Sequence, residues 1–299
     1  MDQIKFEIHM HSTFSDGEFT PSQLVEIAHD NEVSILSLTD HDTFSGSEEL
    51  AKTARGVGIK TFPGIEITVR YRDFNLHLLG YFRSFEILSS KLKQRVEGMK
   101  FQREDRMRNM IDGLNTVIPK HFRGLLEFDN VVRACEGVVG RPHLAKEMAR
   151  LKIVKDTAEA FENYLVRYNV EKNNIPIEEA LHLIRECNGV PVIAHPGERS
   201  YSLLNPKRGR KAQDVPPMIE ELMTMGLLGL ECVYPHHEKS GKVVFFQDLA
   251  RRYGLIETGS RDFHGQVNNQ NRNVLGSTKM DAVFLERFQE RTAFFAIFR

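Results

Sequence analysis

Short apolar runs alternate with amphipathic stretches along the first third of the chain. Ile4 to Ile8 reads as a strand. Thr20-Pro21-Ser22-Gln23 then opens a helix, with Thr20 as N-cap, Pro21 in the first turn and Gln23 closing a capping box. Leu24, Val25, Ile27 and Ala28 give that helix its buried face. Val33 to Leu38 predicts a strand and Ser47 to Arg55 a helix. Ile59 to Phe62 leads through Pro63-Gly64 into a strand over Ile65 to Val69, and Leu76 to Tyr81 predicts another.

The pattern changes near Phe85. From Glu86 to about Asn174 no strand is expected, and Leu88 to Met110 predicts a long charged helix. Alternation resumes at Pro176. Ile177 to Cys187 reads as a helix stopped by Asn188-Gly189. Val190 to Ala194, Leu227 to Tyr234 and Leu255 to Thr258 read as strands, separated by helices over Pro217 to Met225 and Lys239 to Tyr253. Alternating βα units predict an α/β fold with a parallel sheet, open or closed into a barrel. The expected division is a catalytic barrel from residues 1–85 and 175–299, with a helical insertion, a candidate lid, over 86–174.

Charge sharpens that division. The chain carries 40 Lys+Arg against 41 Asp+Glu in 299 residues, which excludes a bulk basic surface for duplex nucleic acid. Residues 86–150 hold 13 Lys+Arg against 9 Asp+Glu, so the helical stretch is locally basic. No stretch approaches 18 apolar residues, and the start of the chain lacks a signal-peptide pattern. Cys135, Cys187 and Cys232 are odd in number and far apart, which fits neither a disulfide framework nor a thiolate zinc site. A reducing, cytoplasmic setting is expected, with no membrane and no evident protein partner.

Histidine is the unusual residue, with twelve copies, and its placement carries the chemistry. His9 and His11 end the first strand two residues apart, so both imidazoles share one face. Asp16 follows in a Ser-Asp-Gly turn. Asp40-His41-Asp42 ends the second strand, Glu66 lies in the strand after Pro63-Gly64, and His77 starts or lines the next. His195 ends the strand after the helical stretch, and Asp262 and His264 end the last one. Parallel α/β proteins build their sites at the carboxyl ends of strands. Six histidines and three carboxylates exceed the needs of one ion and suit two or three. Imidazole and carboxylate donors without thiolate point to manganese first, with iron or zinc as alternatives. Taken singly, each element has a plainer explanation: His77 as a half-buried strand residue, Asp40 or Asp42 as a helix cap.

These motifs resemble the PHP (polymerase and histidinol phosphatase) family of metal-dependent phosphoesterases. His9-x-His11-Ser12 with Ser15-Asp16-Gly17 is similar to its first motif, Thr39-Asp40-His41-Asp42 to its second, and Pro63-Gly64-Ile65-Glu66 with His77 to its third. Ala194-His195-Pro196-Gly197 and Asp262-Phe263-His264 complete the set, across residues 4 to 265. The resemblance implies a distorted (β/α)7 barrel with a trinuclear site. His9, His11, Glu66 and Asp262 would hold one ion, and Glu66 would connect it to a second held by His77 and His195. Asp16, His41 and His264 would hold the third. A metal-bridging hydroxide would then attack the phosphoester.

The helical insertion is similar to that of the nucleoside 3′,5′-bisphosphate phosphatases and a 5′-to-3′ exoribonuclease acting on short RNA. That likeness implies a phosphorylated nucleotide or short oligonucleotide as substrate. Gly140-Arg141-Pro142-His143 resembles a substrate-facing Arg-x-His stretch, with the alternatives of a surface charge and a helix cap. Arg199 and His237 join Arg141 and His143 as candidate substrate contacts; His237 also suits a role supporting a metal ligand. Glu66 and Asp40 are the candidate catalytic residues, with Asp40, His236 or a metal-held water as leaving-group acid. Ser260-Arg261 stands where the family has Gly-Ser, which places a cation beside the expected site. The basic loop Lys207 to Lys211 suits an RNA backbone or a second phosphate, and Phe14, Phe44 and Tyr234 are candidate base-stacking aromatics. Competing readings are a histidinol-phosphate phosphatase, a non-catalytic metal-binding module and an amidohydrolase.

Overall fold

The computed structural model describes residues 4–133, 135–170, 174–197, 200–265 and 274–291. The candidate contact Arg199 lies outside them. The chain opens with β1 (Phe6–Glu7), α1 (Pro21–Asp30), β2 (Ile35–Leu36), α2 (Ser47–Gly56), β3 (Lys60–Thr61), β4 (Gly64–Tyr71) and β5 (Phe74–Tyr81). Four helices follow: α3 (Ser90–Val117), α4 (Phe128–Val132), α5 (Arg141–Arg150) and α6 (Thr157–Ala160). The alternation then resumes with β6 (Ile175–Pro176), α7 (Ile177–Glu186), β7 (Val190–Ile193), α8 (Val215–Thr224) and β8 (Gly229–Val233). It ends with α9 (Pro235–Ser240), α10 (Val243–Arg252), β9 (Ile256–Gly259) and α11 (Phe284–Arg291).

The local signals act as their chemistry dictates. The Thr20 side chain accepts from the Gln23 N–H while Gln23 returns a bond to the Thr20 backbone, so α1 starts at Pro21. Leu24, Val25 and Ala28 are buried as expected. The helix expected over 239–253 is instead two helices. They part at Gly241, which sits at φ +66 and ends α9 in the left-handed region.

The all-parallel expectation fails at β5, which runs antiparallel to both β4 and β7. Only Arg72 and Asp73 separate β4 from β5, whereas a parallel crossover needs about a dozen residues or more. The hairpin therefore reverses β5 and brings the start of that strand, with His77, to the end where the other strands finish.

Hydrogen bonds close the sheet on itself. β1, β2 and β3 form a parallel trio, and β4, β5, β7, β8 and β9 continue in that order with β6 on the outer edge of β4. Glu66 N–H bonds to Asp40 O and Asp42 N–H to Glu66 O, joining the second strand to β4. Phe263 N–H bonds to His9 O and His11 N–H to Phe263 O, joining the segment after β9 to the first strand. With β3 and β4 as one strand kinked at Pro63, seven strands complete the ring of a distorted α/β barrel.

Apolar residues fill the end where most strands begin. Phe6, Val190 and Ile256, with Tyr81 from the reversed β5, pack against Phe284, Leu285 and Phe288 of α11. Phe6 and Phe284 meet edge to face with centroids 4.9 Å apart. The helical stretch has a separate core, in which Met107, Met110, Ile111 and Leu114 of α3 meet Leu144 and Met148 of α5. The first half of α3 belongs elsewhere: Leu92, Val96 and Met99 pack with α7 and the sheet. Among the described residues, no helix is long and apolar enough to cross a membrane.

Candidate metal centre

The opposite end of the barrel is polar, and Glu66 lies at its centre. This carboxylate is 1% exposed. Its Oε1 lies 3.3 Å from His9 Nε2, 3.0 Å from His77 Nδ1 and 3.2 Å from His195 Nε2. Its Oε2 lies 3.3 Å from His11 Nε2 and 3.0 Å from His41 Nδ1. Asp262 Oδ1 meets His9 Nε2 at 3.2 Å and His11 Nε2 at 3.1 Å. Asp16 Oδ1 lies 3.3 Å from His264 Nε2 and 3.9 Å from His41 Nε2. The structure thus brings together all nine residues expected from the motifs.

Their grouping differs in part from the resemblance. His9, His11, Glu66 and Asp262 form one set of convergent donor atoms, as expected. His11 also joins Asp16, His41 and His264, and His41 joins Glu66 and His77. His195 stands beside the last set, 3.3 Å from His77 Nδ1.

Several backbone turns aim these side chains. Asp42 (φ +54), His195 (φ +27) and Asp262 (φ +51) all occupy the left-handed region, which costs a non-glycine residue about 1–2 kcal/mol. Local bonds offset that strain. Asp42 Oδ1 accepts from Thr68 N–H at 2.9 Å, and Glu231 Oε2 accepts from His195 N–H at 2.7 Å.

The electrostatics show what the cluster lacks. Burial opposes every charge here. Even so, Glu66 is held well below the usual carboxylate range by His77, His41 and His9, and Asp16 by His264 and His41. Burial also works against imidazolium at His264, yet Asp16 and Asp262 raise it to about 10. His195 rises to about 9 in the same way, against burial, through Glu66 and Asp262. His41 goes the other way, pushed well down by burial. The carboxylates thus demand nearby positive charge. Meanwhile His9 Nε2, His11 Nε2, Asp16 Oδ1, His41 Nδ1, His195 Nδ1 and Asp262 Oδ1 are buried without a hydrogen bond. Leaving such groups unmet costs on the order of 1–3 kcal/mol each. Nitrogen and oxygen donors converging in this state fit a cluster of divalent cations.

Other expected residues are placed differently. Asp40 is not in the cluster. Its carboxylate accepts from Ser12 N–H at 2.7 Å and from the Ser12 and Ser15 hydroxyls at 2.6 Å, so it clamps the loop that carries His11 and Asp16. His237 is likewise consumed. Its Nε2 accepts from Gly197 N–H at 3.0 Å and its Nδ1 donates to Cys232 O at 2.9 Å, which fixes the turn after His195. His143 Nδ1 accepts from Gly140 N–H at 3.0 Å, which is the helix-cap alternative. Arg261 turns away from the cluster to make two 2.9 Å bonds with Glu238. Phe44 packs on Phe82 and is not a free stacking platform. In the basic loop, Arg210 lies over Phe74 at 3.9 Å while Lys207, Arg208 and Lys211 are exposed.

Arg141 does reach the site. It lines a cleft of about 140 Å³ together with Asp16, His41, His77, Arg103, Arg106 and Tyr201. Tyr201 stacks on His77 with centroids 4.1 Å apart. Arg103 Nε donates to Asp42 Oδ2 at 2.6 Å and its Nη2 to Thr68 Oγ1 at 3.0 Å, tying α3 to the strands that carry His41 and Glu66. Glu231 also went unanticipated. Its Oε1 meets His9 Nδ1 at 2.9 Å and so turns His9 Nε2 toward the cluster. The available signal was a carboxylate in the fully buried strand Gly229–Val233. Arg103 and Arg106 carried no comparable signal on a helix rich in exposed charge.

A barrel whose carboxyl end gathers imidazoles and carboxylates defines a metal-binding α/β barrel, and comparison with known proteins places it further. The chain belongs to the PHP domain family, whose model matches residues 7–174. It is 31% identical over 196 residues to a 5′-3′ exoribonuclease of Haemophilus influenzae, covering 64% of this chain and 69% of that protein. It is 29% identical over 265 residues to a 3′,5′-nucleoside bisphosphate phosphatase of Chromobacterium violaceum, covering 86% of each. A Bifidobacterium adolescentis protein provisionally described as a metal-dependent phosphoesterase shares the fold, with a TM-score of 0.79, 23% identity and coverage of 97% of this chain and 96% of that one.

Proposed function

We propose that this chain is a metal-dependent phosphoesterase that hydrolyses nucleotide phosphate esters. Its substrates are nucleoside 3′,5′-bisphosphates, short RNA cut from the 5′ end, or both. The observation that carries the proposal is the gathering of six imidazoles and three carboxylates, buried Glu66 at their centre, at the polar end of the barrel, with donor atoms left unmet. Similarity to a bisphosphate phosphatase and an exoribonuclease supports the substrate class.

His9, His11, Glu66 and Asp262 would hold one divalent ion. Glu66, His77 and His195 would hold a second, and Asp16, His41 and His264 a third. Manganese suits this donor set best, then iron or zinc. Such ions lower the pKa of bound water and neutralise phosphoryl oxygens. The chain's own groups do the positioning. Glu231 fixes the ring of His9, and Asp40 and His237 fix the loops that carry His11 and His195. Tyr234 donates to Asp262 Oδ2 at 3.3 Å. Residues 86–174 act as an insertion that walls the cleft with cationic side chains. They are pinned to the barrel by Arg103 and by Val138 N–H, which bonds to Phe14 O at 2.7 Å. The three free cysteines suit a reducing, cytoplasmic setting.

The test is product release by manganese-loaded protein from a nucleoside 3′,5′-bisphosphate and a short 5′-phosphorylated RNA, side by side. Free phosphate from the first marks a nucleotide phosphatase, and stepwise mononucleotides from the second mark an exonuclease. No product from either, with metal bound, would overturn the proposal.

A further inference from the structure

The stretch from Glu231 to Glu238, running from β8 into α9, supplies none of the nine donor residues, yet it touches three strand ends that carry them. Glu231 meets His9 Nδ1 and accepts from the His195 N–H. His237 fixes the turn after His195, and the Tyr234 hydroxyl reaches Asp262 Oδ2. Glu238 meets Arg261, the chain neighbour of Asp262. Arg261 is 6% exposed, and its guanidinium points away from the cluster. Its Nη1 and Nη2 donate to Glu238 Oε2 and Oε1, both at 2.9 Å, and its Nε donates to Thr278 Oγ1 at 3.2 Å. Its backbone N–H donates to Glu7 Oε1 at 2.9 Å. A guanidinium fork on a carboxylate fixes direction as well as distance. Residue 261 is thus pinned by β1, by α9 and by residue 278.

Asp262 needs that restraint. It sits at φ +51, where a non-glycine residue persists only if its surroundings hold it. Its Oδ1 is aimed at His9 Nε2 and His11 Nε2, 3.2 and 3.1 Å away. We propose that Arg261 is a positioning residue for Asp262: clamped by Glu238, it holds the left-handed turn that aims the Asp262 carboxylate into the set formed with His9, His11 and Glu66. This inference rests on the metal-dependent reading above and deepens it by naming what aims one ligand. The charge of Arg261 works in the opposite direction. A cation one residue from a cation site weakens binding, so removing a bystander charge would tighten the hold on manganese. Removing a clamp loosens it. The two roles therefore differ in sign. Partners that orient metal ligands are typically worth ten- to hundredfold in metal affinity. Lysine would fill the role only in part, since an ammonium is a point charge and cannot span both Glu238 oxygens as a planar fork does.

Manganese titration calorimetry tests the clamp. It is run on chelator-stripped wild type, Arg261→Met, Arg261→Lys, Glu238→Gln and the double variant Arg261→Met/Glu238→Gln, with chemical denaturation of the same metal-free samples alongside. Arg261→Met should bind manganese about ten- to hundredfold more weakly, and Arg261→Lys should recover part of that loss. Glu238→Gln should weaken binding too. The double variant should bind about as well as Arg261→Met alone, since both changes break one clamp. Equal or tighter manganese binding by folded Arg261→Met, with only its denaturation midpoint lowered, would make Arg261 a structural prop and overturn the proposal. If Arg261→Met does not fold, Glu238→Gln decides alone: that side chain is 34% exposed, so the change is mild, and unchanged affinity there overturns the proposal. Wild type that binds no manganese would overturn the metal-dependent reading and the clamp with it. Wild type that binds manganese, matched by every variant, would sink the clamp and leave that reading standing.

Discussion

The cleft has two walls, and they solve opposite electrostatic problems. On the barrel side, buried carboxylates raise His264 and His195 against burial, and donor atoms stay unmet. That wall gathers nitrogen and oxygen donors and suits cations. On the helical side, Arg106 and Arg141 line the cleft with no ion pair among the described residues. A phosphate ester is a ligand that can lie between a cation-filled cluster and an arginine wall. The two walls are built differently as well. The barrel wall comes from strand ends fixed by the closed hydrogen-bonded ring. The helical wall comes from side chains on α3 and α5, joined to the barrel by the packing of Leu92, Val96 and Met99 and by the Arg103–Asp42 pair.

The strongest way to break this comparison is to remove the centre of the barrel wall. Glu66→Gln keeps the shape but takes away the charge that faces five imidazoles. Turnover should fall by about a thousandfold or more, and elemental analysis should show fewer ions per chain. Unchanged metal content with unchanged turnover would contradict the account.

Next comes the strut between the walls. Arg103→Met leaves Asp42, which is 1% exposed, without its guanidinium partner. Stripping one member from a buried pair costs about 3–5 kcal/mol. Chemical denaturation should register that loss, with Arg103→Lys recovering part of it. A loss under 1 kcal/mol (within the surface-pair range) would mean the walls are not joined there.

Glu231→Gln should act more gently, lowering metal affinity or turnover about ten- to hundredfold by freeing the His9 ring. Titration calorimetry with manganese reads this directly, and no change would show that His9 is aimed by other contacts. Smaller again is the effect of Gly137→Ala. A Cβ there would collide with the Phe14 carbonyl, where the helical segment meets the loop bearing Asp16. About 1–3 kcal/mol of stability should be lost, by thermal or denaturant melts. An unshifted melt would show that the segment yields without cost.

The gentlest test is pH. Burial pushes His237 down to about 3, below its ordinary 6.5. The fold therefore favours the neutral ring. The sign follows: its contribution is constant above about pH 6.5, and stability falls as pH drops from there toward 3, by at most about 1.4 kcal/mol per unit. His237→Gln should flatten that part of the stability profile. An identical slope in the variant would assign the titration to another group.

Legibility in the sequence followed the same division. The barrel wall could be read because period-two strands put His9 and His11 on one face, and because motif residues stand at strand ends. Even there, the reversal of β5 was missed. The apolar pattern of Leu76 to Tyr81 does not depend on strand direction; only the two-residue link at Arg72-Asp73 does. Asp40 and His237 looked like site residues because polar side chains at strand ends can face either the site or a loop, and spacing cannot say which. The helical wall was almost illegible. Arg103 and Arg106 are two among many cations on a charged helix, and only the docking of α3 on the barrel turns them inward. Helix α11, which fills the far end of the barrel, also went unread, since its packing role is set by distant residues such as Phe6 and Tyr81.

The most direct test of the central claim is a count of divalent ions per chain in purified wild-type protein, made by elemental analysis beside His9→Ala and Asp262→Ala. Two or three ions in wild type and fewer in both variants are what nine convergent donors require. A wild-type chain that binds none when manganese, iron and zinc are each supplied, or variants that bind as many as wild type, would contradict it.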